Sequence, residues 1–272
     1  MGSQPDYSQP PVQASFAGFL WDMDGTIIDS TPAIEKHWYT IGNEIGVDPE
    51  TILKTSHGRR SIDTLKILAP ERANWECTYI HAVIVPLTAF PAHVPCSMFS
   101  QHQLTTPPPL DVSKVESQLP VLYHHLATEI PGARQLLDSM IKIGAPWAIV
   151  TSGTEPLVHG WLSRMNLTEP EHLVTAESVP EGKPDPACYR MGLDKLRLAD
   201  AAGDVLVLED SPAGIKAGKA AGCKVIGLVT SHTVEQVVAA QPDWVVKDLT
   251  SVRVVGSEGG KVTIEIKDSV KL

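Results

Sequence analysis

The chain has few cysteines, no long apolar run and no secretory signal, and each shortage excludes a class of protein. Its four cysteines show neither CxxC pairing nor zinc-ligand spacing, so we expect reduced thiols rather than a disulfide framework. No stretch reaches the roughly 18 consecutive apolar residues of a membrane helix, so no membrane span is expected. The polar, proline-rich start lacks a basic segment leading into an apolar run. A cytoplasmic location is therefore expected.

Basic residues are also fewer than acidic residues. The chain has 22 Lys and Arg against 32 Asp and Glu, which gives a formal net charge of −10. This balance argues against nucleic acid and anionic membranes as partners, because both require a positive surface field. It leaves open a small phosphorylated substrate, because a metal ion and one or two basic side chains supply the local charge that a phosphate needs. The sequence does not set an oligomeric state, although a monomer is consistent with it.

Several short apolar runs predict a parallel sheet. Continuous runs of this length, bounded by Gly, Asp and Ser, are typical of strands buried on both faces: residues 17–21, 147–151, 205–208 and 224–229. Helix-length segments separate the last three: residues 155–165, 186–196 and 212–221. This alternation predicts a doubly wound, Rossmann-like α/β core. Ligands bind such sheets at the carboxyl ends of the strands, which places Asp22, Thr151-Ser152 and Glu209-Asp210 together.

The rest of the chain divides around this core. Residues 1–15 are expected to form a flexible tail, and the core takes residues 16–28 and 131–272. Residues 29–130 lack comparable strand runs and are interpreted as a helical cap inserted into the core. Alternating apolar residues on both sides of a glycine-rich turn predict a β-hairpin over residues 251–266.

Two carboxylates lie two residues apart at the end of the first strand, in Asp22-Met-Asp24-Gly25-Thr26. If the strand geometry continues, the two side chains point to the same side and approach one ligand. Gly25 then allows the chain to leave the sheet sharply. A polar strand end followed by a tight turn would also explain the segment taken alone.

Each of three later segments, considered alone, has both a functional and a purely structural interpretation. Thr151-Ser152-Gly153 can bind an anion or simply begin a helix. The two prolines around Lys183, in Gly182-Lys-Pro-Asp-Pro186, can fix its ammonium, although most lysines are solvated. Glu209-Asp210 can repel each other unless a cation intervenes, or can cap a helix.

Taken together and in this order, the four segments resemble the motifs of the haloacid dehalogenase superfamily phosphatases, including DxDGT at 22–26 and GKPxP at 182–186. The likeness is strongest to the fungal glycerol-phosphate and 2-deoxyglucose-6-phosphate phosphatases. It extends to Ser56-His-Gly-Arg-Arg60, to residues 130–133 and to residues 212–223.

The resemblance implies a role for each matching residue. Asp22 would attack phosphorus to form an aspartyl-phosphate, Asp24 would act as general acid and base, and Lys183 would balance charge. Phosphate oxygens would be bound by Thr151, Ser152 and Gly153, with Ser152 favoured over Thr151 as the side-chain donor although the register leaves this open. From the cap, His57 and Arg60 are candidate substrate contacts, and a surface role is equally open for each.

The resemblance also implies a metal site. All the ligands in view are oxygens, which favours Mg²⁺. Asp22 and Asp210 would bind the ion through carboxylates and Asp24 through its backbone carbonyl. Glu209 would not bind the ion directly but would hold these ligands in position. Asp22 is then expected to stay ionised, while Asp24 can hold a proton.

The implied function is a Mg²⁺-dependent phosphomonoesterase acting on a small polyol or sugar phosphate, with glycerol 1- or 3-phosphate as the first choice. A sugar phosphomutase of the same superfamily is one alternative. A non-catalytic binding protein is another, if the segment described next disables the cap. A true dehalogenase is disfavoured because that chemistry gives no role to Asp24 or to a metal.

One segment departs from the family pattern. Residues 77–110 contain no Asp, Glu, Lys or Arg and include six prolines and three histidines, whose irregular spacing argues against a metal cluster. The flanks read as continuous when the segment is removed, which favours a translated intron over a real elaboration of the cap. Sequencing of the spliced transcript would decide between these interpretations.

Overall fold

The computed structural model describes residues 5–56, 58–74 and 110–271. Within these residues the chain forms thirteen strands: β1 (Val12–Phe16), β2 (Gly18–Trp21), β3 (Ile28–Asp29), β4 (Ala73–Asn74), β5 (Leu110–Asp111), β6 (Thr128–Glu129), β7 (Trp147–Val150), β8 (Leu173–Val174), β9 (Val205–Glu209), β10 (Lys224–Leu228), β11 (Trp244–Val246), β12 (Val252–Glu258) and β13 (Lys261–Ile266).

The same residues form ten α-helices, with short 3₁₀ turns between some of them. The helices are α1 (Thr31–Ile45), α2 (Pro49–Ser56), α3 (Ser61–Leu68), α4 (Val112–Ser117), α5 (Leu119–Leu122), α6 (Ala133–Lys142), α7 (Glu155–Arg164), α8 (Ala187–Lys195), α9 (Pro212–Ala220) and α10 (Val234–Ala239). In the part of the chain that the structure describes, no helix has the length and apolar character needed to cross a membrane.

Six strands form one parallel sheet in the order β11-β10-β9-β2-β7-β8. The predicted doubly wound α/β core is confirmed, and each of the four predicted strands agrees with the structure to within one residue at either end. The two outer strands, β8 and β11, were not predicted. They have two and three residues, so they are too short to produce a distinct apolar run.

The sheet is buried on both faces, as continuous apolar runs require. Along β2, Phe19 and Trp21 pack into one apolar cluster and Leu20 packs into the other. Helices α6 and α7 contribute to the first cluster, and helices α8 and α9 contribute to the second. The alternation of strand side chains between the two faces thus fixes β2 in the middle of the core, with its last residue at the edge of the sheet.

A second sheet confirms the predicted hairpin and corrects the predicted tail. Strands β12 and β13 pair antiparallel, and β1 adds to the other side of β13. The prediction of a flexible tail is therefore wrong for residues 12–15, which belong to β1. The physical reason is that the outer edge of a hairpin leaves backbone N–H and C=O groups unpaired, and a third strand satisfies them.

Residues 29–130, referred to below as the cap, contain helices α1 to α5. The chain enters through β3 and leaves through β6, and these two short strands pair with each other. Apolar side chains from several of the helices form a separate cluster inside the cap: Trp38, Ile41, Ile52, Ile62, Leu65, Leu110 and Val112. Because this cluster is distinct from the two core clusters, the cap has an apolar interior of its own.

The flanks of the uncharged segment lie side by side. Strands β4 and β5 pair in parallel, with Ala73 opposite Leu110 and Asn74 opposite Asp111. Leu110 is only 7% exposed and packs in the cap cluster, so this residue belongs to the cap rather than to the atypical segment. Residues 75–109 lie outside the described residues, so both interpretations of the segment stay predictions.

Candidate active site

Three strands of the parallel sheet end in residues predicted to form the site. Asp22 follows β2, Thr151 follows β7 and Asp210 follows β9, so all three lie at the carboxyl edge of the sheet. The side chains of Asp22, Glu209 and Asp210 are buried, and one carboxylate oxygen of each lies within 4.8 Å of the others. The sheet order thus brings acids from distant parts of the sequence to one place.

Asp22 contacts a lysine directly. Its side chain is almost fully buried, and its Oδ1 accepts a hydrogen bond from Lys183 Nζ at 2.6 Å. Burial raises the pKa of Asp22 to about 7; the Lys183 ammonium opposes this rise, and Glu209 and Asp24 add to it. The contact with Lys183 is therefore the feature of this environment that favours the anionic form a nucleophile needs.

Asp24 has a hydroxyl neighbour. Ser30 Oγ donates a hydrogen bond to Asp24 Oδ1 at 2.5 Å, from the residue that precedes helix α1. Burial raises the pKa of Asp24, although the Ser30 hydrogen bond and the Lys183 charge oppose this effect. A carboxyl group with a raised pKa keeps its proton to a higher pH than an ordinary carboxyl group does, which is the direction that favours a general acid.

The turn after β2 requires glycine at position 25. Gly25 has a φ of +85°, in the left-handed region that side chains disfavour. A Cβ atom added to this residue would overlap the Asp210 carboxylate. The glycine therefore allows the loop that carries Asp22 and Asp24 to pack directly against the acid at the end of β9.

Lys183 lies between two buried carboxylates. Its Nζ is 2.6 Å from Asp22 Oδ1 and 2.6 Å from Glu209 Oε1, and it also donates to the Val150 carbonyl at 3.2 Å. Burial lowers the pKa of the Lys183 ammonium, but the charges of Asp22 and Glu209 outweigh burial and hold the pKa above its ordinary value. Lys183 therefore stays charged beside Asp22.

Glu209 is occupied by hydrogen bonds inside the protein. Its Oε1 also accepts from the Tyr189 hydroxyl at 2.9 Å. Its Oε2 accepts from the backbone N–H groups of Asp210 and Ser211 at 3.0 and 2.9 Å, and from the Ser211 hydroxyl at 3.1 Å. With these contacts, Glu209 orients Lys183 and the start of helix α9.

Asp210 is held by a serine that the sequence did not indicate. Ser231 Oγ, in the loop after β10, donates a hydrogen bond to Asp210 Oδ2. Burial raises the pKa of Asp210 well above its ordinary value; Asp22 and Glu209 add to this effect, and the Ser231 hydrogen bond opposes it. Three mutually close carboxylates with one ammonium among them form an environment that favours a bound cation.

The loop after β7 separates the two hydroxyl groups predicted to bind phosphate. Thr151 Oγ1 accepts the Gly153 N–H at 3.0 Å, which leaves its own hydroxyl hydrogen available for another acceptor. Ser152 Oγ instead donates to the Gly58 carbonyl of the cap at 3.1 Å. The structure thus places Ser152, favoured from the sequence as the donor, against the cap.

Arg60 does not contact the cavity between cap and core, contrary to its predicted role as a substrate contact. Its guanidinium pairs with Asp63, and it also donates to the carbonyls of Ala176, Val179 and Pro180 in the core. A side chain 2% exposed with its planar donors directed at fixed carbonyls anchors the cap to the core. His57 lies outside the described residues, so its role stays a prediction.

The cap and the sheet edge enclose a cavity. Its walls include Asp22, Asp24, Thr151, Ser152, Gly153 and Asp210 from the predicted site. They also include side chains that the sequence did not indicate: Ser30, His37, Glu116 and Ser231. Ser30 lies just after the first motif and could have been suspected from that spacing, whereas the other three have no local motif.

Comparison with known proteins matches this geometry to one family. The model of the haloacid dehalogenase-like hydrolases matches residues 16–222. The chain belongs to this family. The predicted assignment to the phosphoric monoester hydrolases of the haloacid dehalogenase type is thereby confirmed.

Individual relatives of this haloacid dehalogenase-like hydrolase agree with that assignment. Glycerol-1-phosphate phosphohydrolase 2 from Saccharomyces cerevisiae is 32% identical over 253 residues, covering 90% of this chain and 88% of the relative. The 2-deoxyglucose-6-phosphate phosphatase 1 of the same organism is 31% identical over 264 residues, covering 92% and 94%. A hydrolase from Pseudomonas syringae has the same fold, with a TM-score of 0.63, 21% identity and coverage of 85% and 94%. The predicted resemblance to these two groups of phosphatases is confirmed.

Proposed function

We propose that this hydrolase is a Mg²⁺-dependent phosphomonoesterase that cleaves a small polyol or sugar phosphate, with glycerol 1- or 3-phosphate as the first substrate to test. One observation carries the proposal: Asp22, Glu209 and Asp210 cluster within 4.8 Å while Lys183 contacts Asp22. Asp22 and Asp24 line one cavity, as nucleophile and acid must. The phosphatase names of the relatives support the same reaction.

The residues fit a divalent cation. The donor set consists of carboxylate oxygens, which Mg²⁺ prefers, and it has more negative charge than Lys183 balances. Asp22 and Asp210 would bind the ion together with the backbone carbonyl of Asp24. Glu209 would support them from behind, because its oxygens already accept hydrogen bonds from Lys183, Tyr189 and the start of α9. When bound, the ion neutralises charge on the phosphoryl oxygens.

In the first half of the reaction, Asp22 attacks phosphorus through a carboxylate oxygen. The bond from phosphorus to the ester oxygen breaks, and Asp24 donates a proton to that oxygen so that it leaves as an alcohol. An aspartyl-phosphate remains on Asp22. Lys183 stays beside Asp22 and balances the negative charge that the phosphate brings into a buried site.

In the second half, Asp24 acts as a base. The proton lost to the leaving group has left this carboxylate ionised, so it can take a proton from a water molecule as the water attacks phosphorus. The bond between phosphorus and the Asp22 oxygen breaks, and inorganic phosphate and free Asp22 are formed. Ser30 holds Asp24 in position for both proton transfers.

Thr151 is the phosphate donor that the hydrogen bonding favours. The Gly153 N–H donates a hydrogen bond to the Thr151 hydroxyl oxygen. The hydroxyl hydrogen of Thr151 is therefore available to donate to a phosphoryl oxygen. The loop leads directly into helix α7, whose dipole also favours an anion near its N-terminus. Ser152 would act instead between the loop and the cap, through its hydrogen bond to the Gly58 carbonyl.

A phosphate-release screen tests the proposal. Glycerol 1-phosphate, glycerol 3-phosphate, 2-deoxyglucose 6-phosphate and phosphoglycolate would be incubated with the protein, with and without Mg²⁺. We expect phosphate release from at least one polyol or sugar phosphate and none after chelation of the metal. Conversion of one sugar phosphate into another without free phosphate would indicate a phosphomutase instead. Binding without turnover would indicate a non-catalytic protein.

Metal binding should stabilise the protein more at neutral than at acidic pH. Burial raises the pKa of Asp22 from 3.8 to about 7, so the metal-free protein loses stability as pH rises through this interval and the carboxylate ionises. Mg²⁺ binds only the ionised form, so we expect a larger increase in melting temperature with Mg²⁺ at about pH 7.5 than at about pH 5. Thermal unfolding measured in both buffers checks this.

Asp210→Asn is the matched variant for the metal experiment, since it removes one predicted ligand and one buried charge. It should lose most of the Mg²⁺-dependent increase in melting temperature at either pH. An increase equal to that of the unaltered protein would contradict the assignment of Asp210 as a ligand.

Arg60→Ala should weaken cap closure. The side chain donates to the carbonyls of Ala176, Val179 and Pro180, and hydrogen bonds from a charged group contribute about 1.5–3 kcal/mol each when nothing replaces them. We expect KM to rise by about tenfold or more, because the closed form becomes less populated. Steady-state kinetics would be compared with Arg253→Ala, which removes an exposed ion pair to Glu265. An unchanged KM would contradict the anchoring role.

The other expectations concern partners and location. Cys188 and Cys223 are buried free thiols. Cys77 and Cys96 lie outside the described residues, so reduced thiols throughout the chain stay a prediction. A cytoplasmic location, a monomeric state and the lack of nucleic-acid and membrane partners stay predictions.

A further inference from the structure

Glu116 is a buried carboxylate that the proposed chemistry does not use. It lies in cap helix α4 and is 5% exposed. Its Oε1 accepts from the Ser61 hydroxyl of the cap at 2.5 Å, and its Oε2 accepts from the Thr154 N–H of the core at 2.9 Å. Both contacts direct a hydrogen toward the carboxylate, so the surroundings are arranged for an acceptor.

The Glu116 carboxylate forms part of the cavity wall near Asp24. Asp24 and Glu116 line the same cavity, and the charge of Asp24 is close enough to raise the pKa of Glu116. Burial is the larger cause and brings that pKa to about 7, while the hydrogen bonds from Ser61 and Thr154 oppose it. Because Asp24 protonates the leaving oxygen, the remainder of the leaving group extends into the part of the cavity next to Asp24, which the cap covers.

Positive charge is scarce among the cavity-lining residues that the structure describes. Among the described residues of the cavity wall, the basic side chains are His37 and Arg59. Burial lowers the pKa of His37 to about 4, so its imidazole is neutral at neutral pH. Arg59 is exposed, where solvent and salt screen its charge. Lys183 is already paired with Asp22 and Glu209.

We propose that Glu116 is a specificity-determining residue, which favours leaving groups that are uncharged and carry hydroxyls over leaving groups that carry a second anion. A hydroxyl of a polyol can donate to the carboxylate, which has acceptor capacity beyond its two present hydrogen bonds. A carboxylate or a second phosphate on the leaving group would instead be enclosed with Glu116 and Asp24 in a site of low dielectric. This inference rests on the proposed phosphatase function and narrows its substrate class.

The same charge argues against the phosphomutase alternative. A mutase must retain a bisphosphate while the intermediate turns over in the closed site, so its cap has to bind a second phosphate. Above its pKa, Glu116 places a negative charge in the wall of the cavity that would have to hold that phosphate. Its placement therefore favours release of a neutral alcohol.

Glu116→Gln separates selection by charge from a purely structural role. The amide oxygen of glutamine can still accept the Thr154 N–H, and the amide NH₂ can donate to Ser61 Oγ, so both contacts remain while the charge is lost. Glu177→Gln is the matched control. Glu177 also accepts a backbone N–H at the start of α7, from Glu155, but it is exposed.

The measurement is kcat/KM, with Mg²⁺ present, for phosphoglycolate and for the neutral ester hydrolysed fastest in the screen. The unaltered protein should favour the neutral ester by about tenfold or more, and Glu116→Gln should shift the ratio toward phosphoglycolate by about tenfold or more, a change of about 1.4 kcal/mol. Glu177→Gln should leave the ratio unchanged.

The outcomes distinguish failure of the inference from failure of the proposed function. A folded Glu116→Gln protein whose ratio equals that of the unaltered protein would overturn the inference while the phosphatase function stands. A preference of the unaltered protein for phosphoglycolate would overturn it without any variant. If the unaltered protein with Mg²⁺ releases phosphate from none of the esters, the proposed function itself fails and takes the inference with it.

Discussion

Asp22→Asn should reduce the rate of phosphate release by at least about 10³-fold, because a carboxamide cannot attack phosphorus as an anion. The fold should persist. The amide oxygen can still accept the hydrogen bond from Lys183, and the change replaces one of three carboxyl groups that have oxygens within 4.8 Å of each other. Phosphate release measured under saturating Mg²⁺ and substrate would give the rate, and the melting temperature would confirm folding.

Asp138→Asn is the control for this experiment, since it changes an aspartate in helix α6 that does not line the cavity. It should keep the full rate. Turnover of the folded Asp22→Asn protein near the parent rate would exclude Asp22 as the nucleophile and with it the aspartyl-phosphate route.

Lys183→Met should impair both activity and stability. Methionine has a similar length but no charge, so the carboxylates of Asp22 and Glu209, each 2.6 Å from the ammonium, would lose a buried partner. Breaking one side of a buried ion pair costs about 3–5 kcal/mol of unfolding free energy. Loss of a charge aimed at the transferring phosphoryl group should lower kcat by about 10²- to 10³-fold.

The stability loss in Lys183→Met should depend on pH. Without the ammonium, the folded-state pKa of Asp22 rises further above its unfolded value. The protein must then keep an unpaired carboxylate above that pKa, or take up a proton below it. We therefore expect a larger loss at about pH 8 than at about pH 5, measured by denaturant unfolding with the metal removed by chelation.

Lys219→Met supplies the comparison for Lys183→Met. Lys219 pairs with Asp243 at 2.7 Å and is about one-third exposed, so the pair is worth about 1 kcal/mol or less. Activity should be unaffected. If Lys183→Met lost no more stability or activity than Lys219→Met, the contacts of Lys183 with Asp22 and Glu209 would contribute to neither stability nor catalysis.

The core could be predicted from the sequence because burial on both faces leaves a simple pattern. Strands β2, β7, β9 and β10 each have a continuous apolar run, and polar residues follow where the first three reach the sheet edge. The short outer strands β8 and β11 lack such a run. Strand β1 could not be predicted because its pairing depends on the open edge of β13, a strand about 250 residues away.

The sequence did not separate the hydroxyl that we propose as the phosphate donor from its neighbour. Thr151 and Ser152 are adjacent residues of similar chemistry at the end of β7. Their roles differ only because the Gly58 carbonyl of the cap lies within reach of Ser152 Oγ. A contact between segments so far apart in the chain leaves no local pattern.

Arg60 illustrates the same limit. The family resemblance of Ser56-His-Gly-Arg-Arg60 in the cap suggested a substrate contact. The carbonyls of Ala176 and Val179 that accept its hydrogen bonds are backbone groups, and any residue type could supply them. No sequence motif marks such acceptors.

The sequence alone determined the family and the α/β core and predicted Asp22, Asp24, Lys183 and Asp210 as site residues, because the motifs that hold them are local in the sequence. Only the tertiary structure decided how the cap meets the core and which side chains line the cavity between them. Glu116 and Ser231 act through contacts with residues distant in sequence, and packing fixes those contacts without imposing a motif.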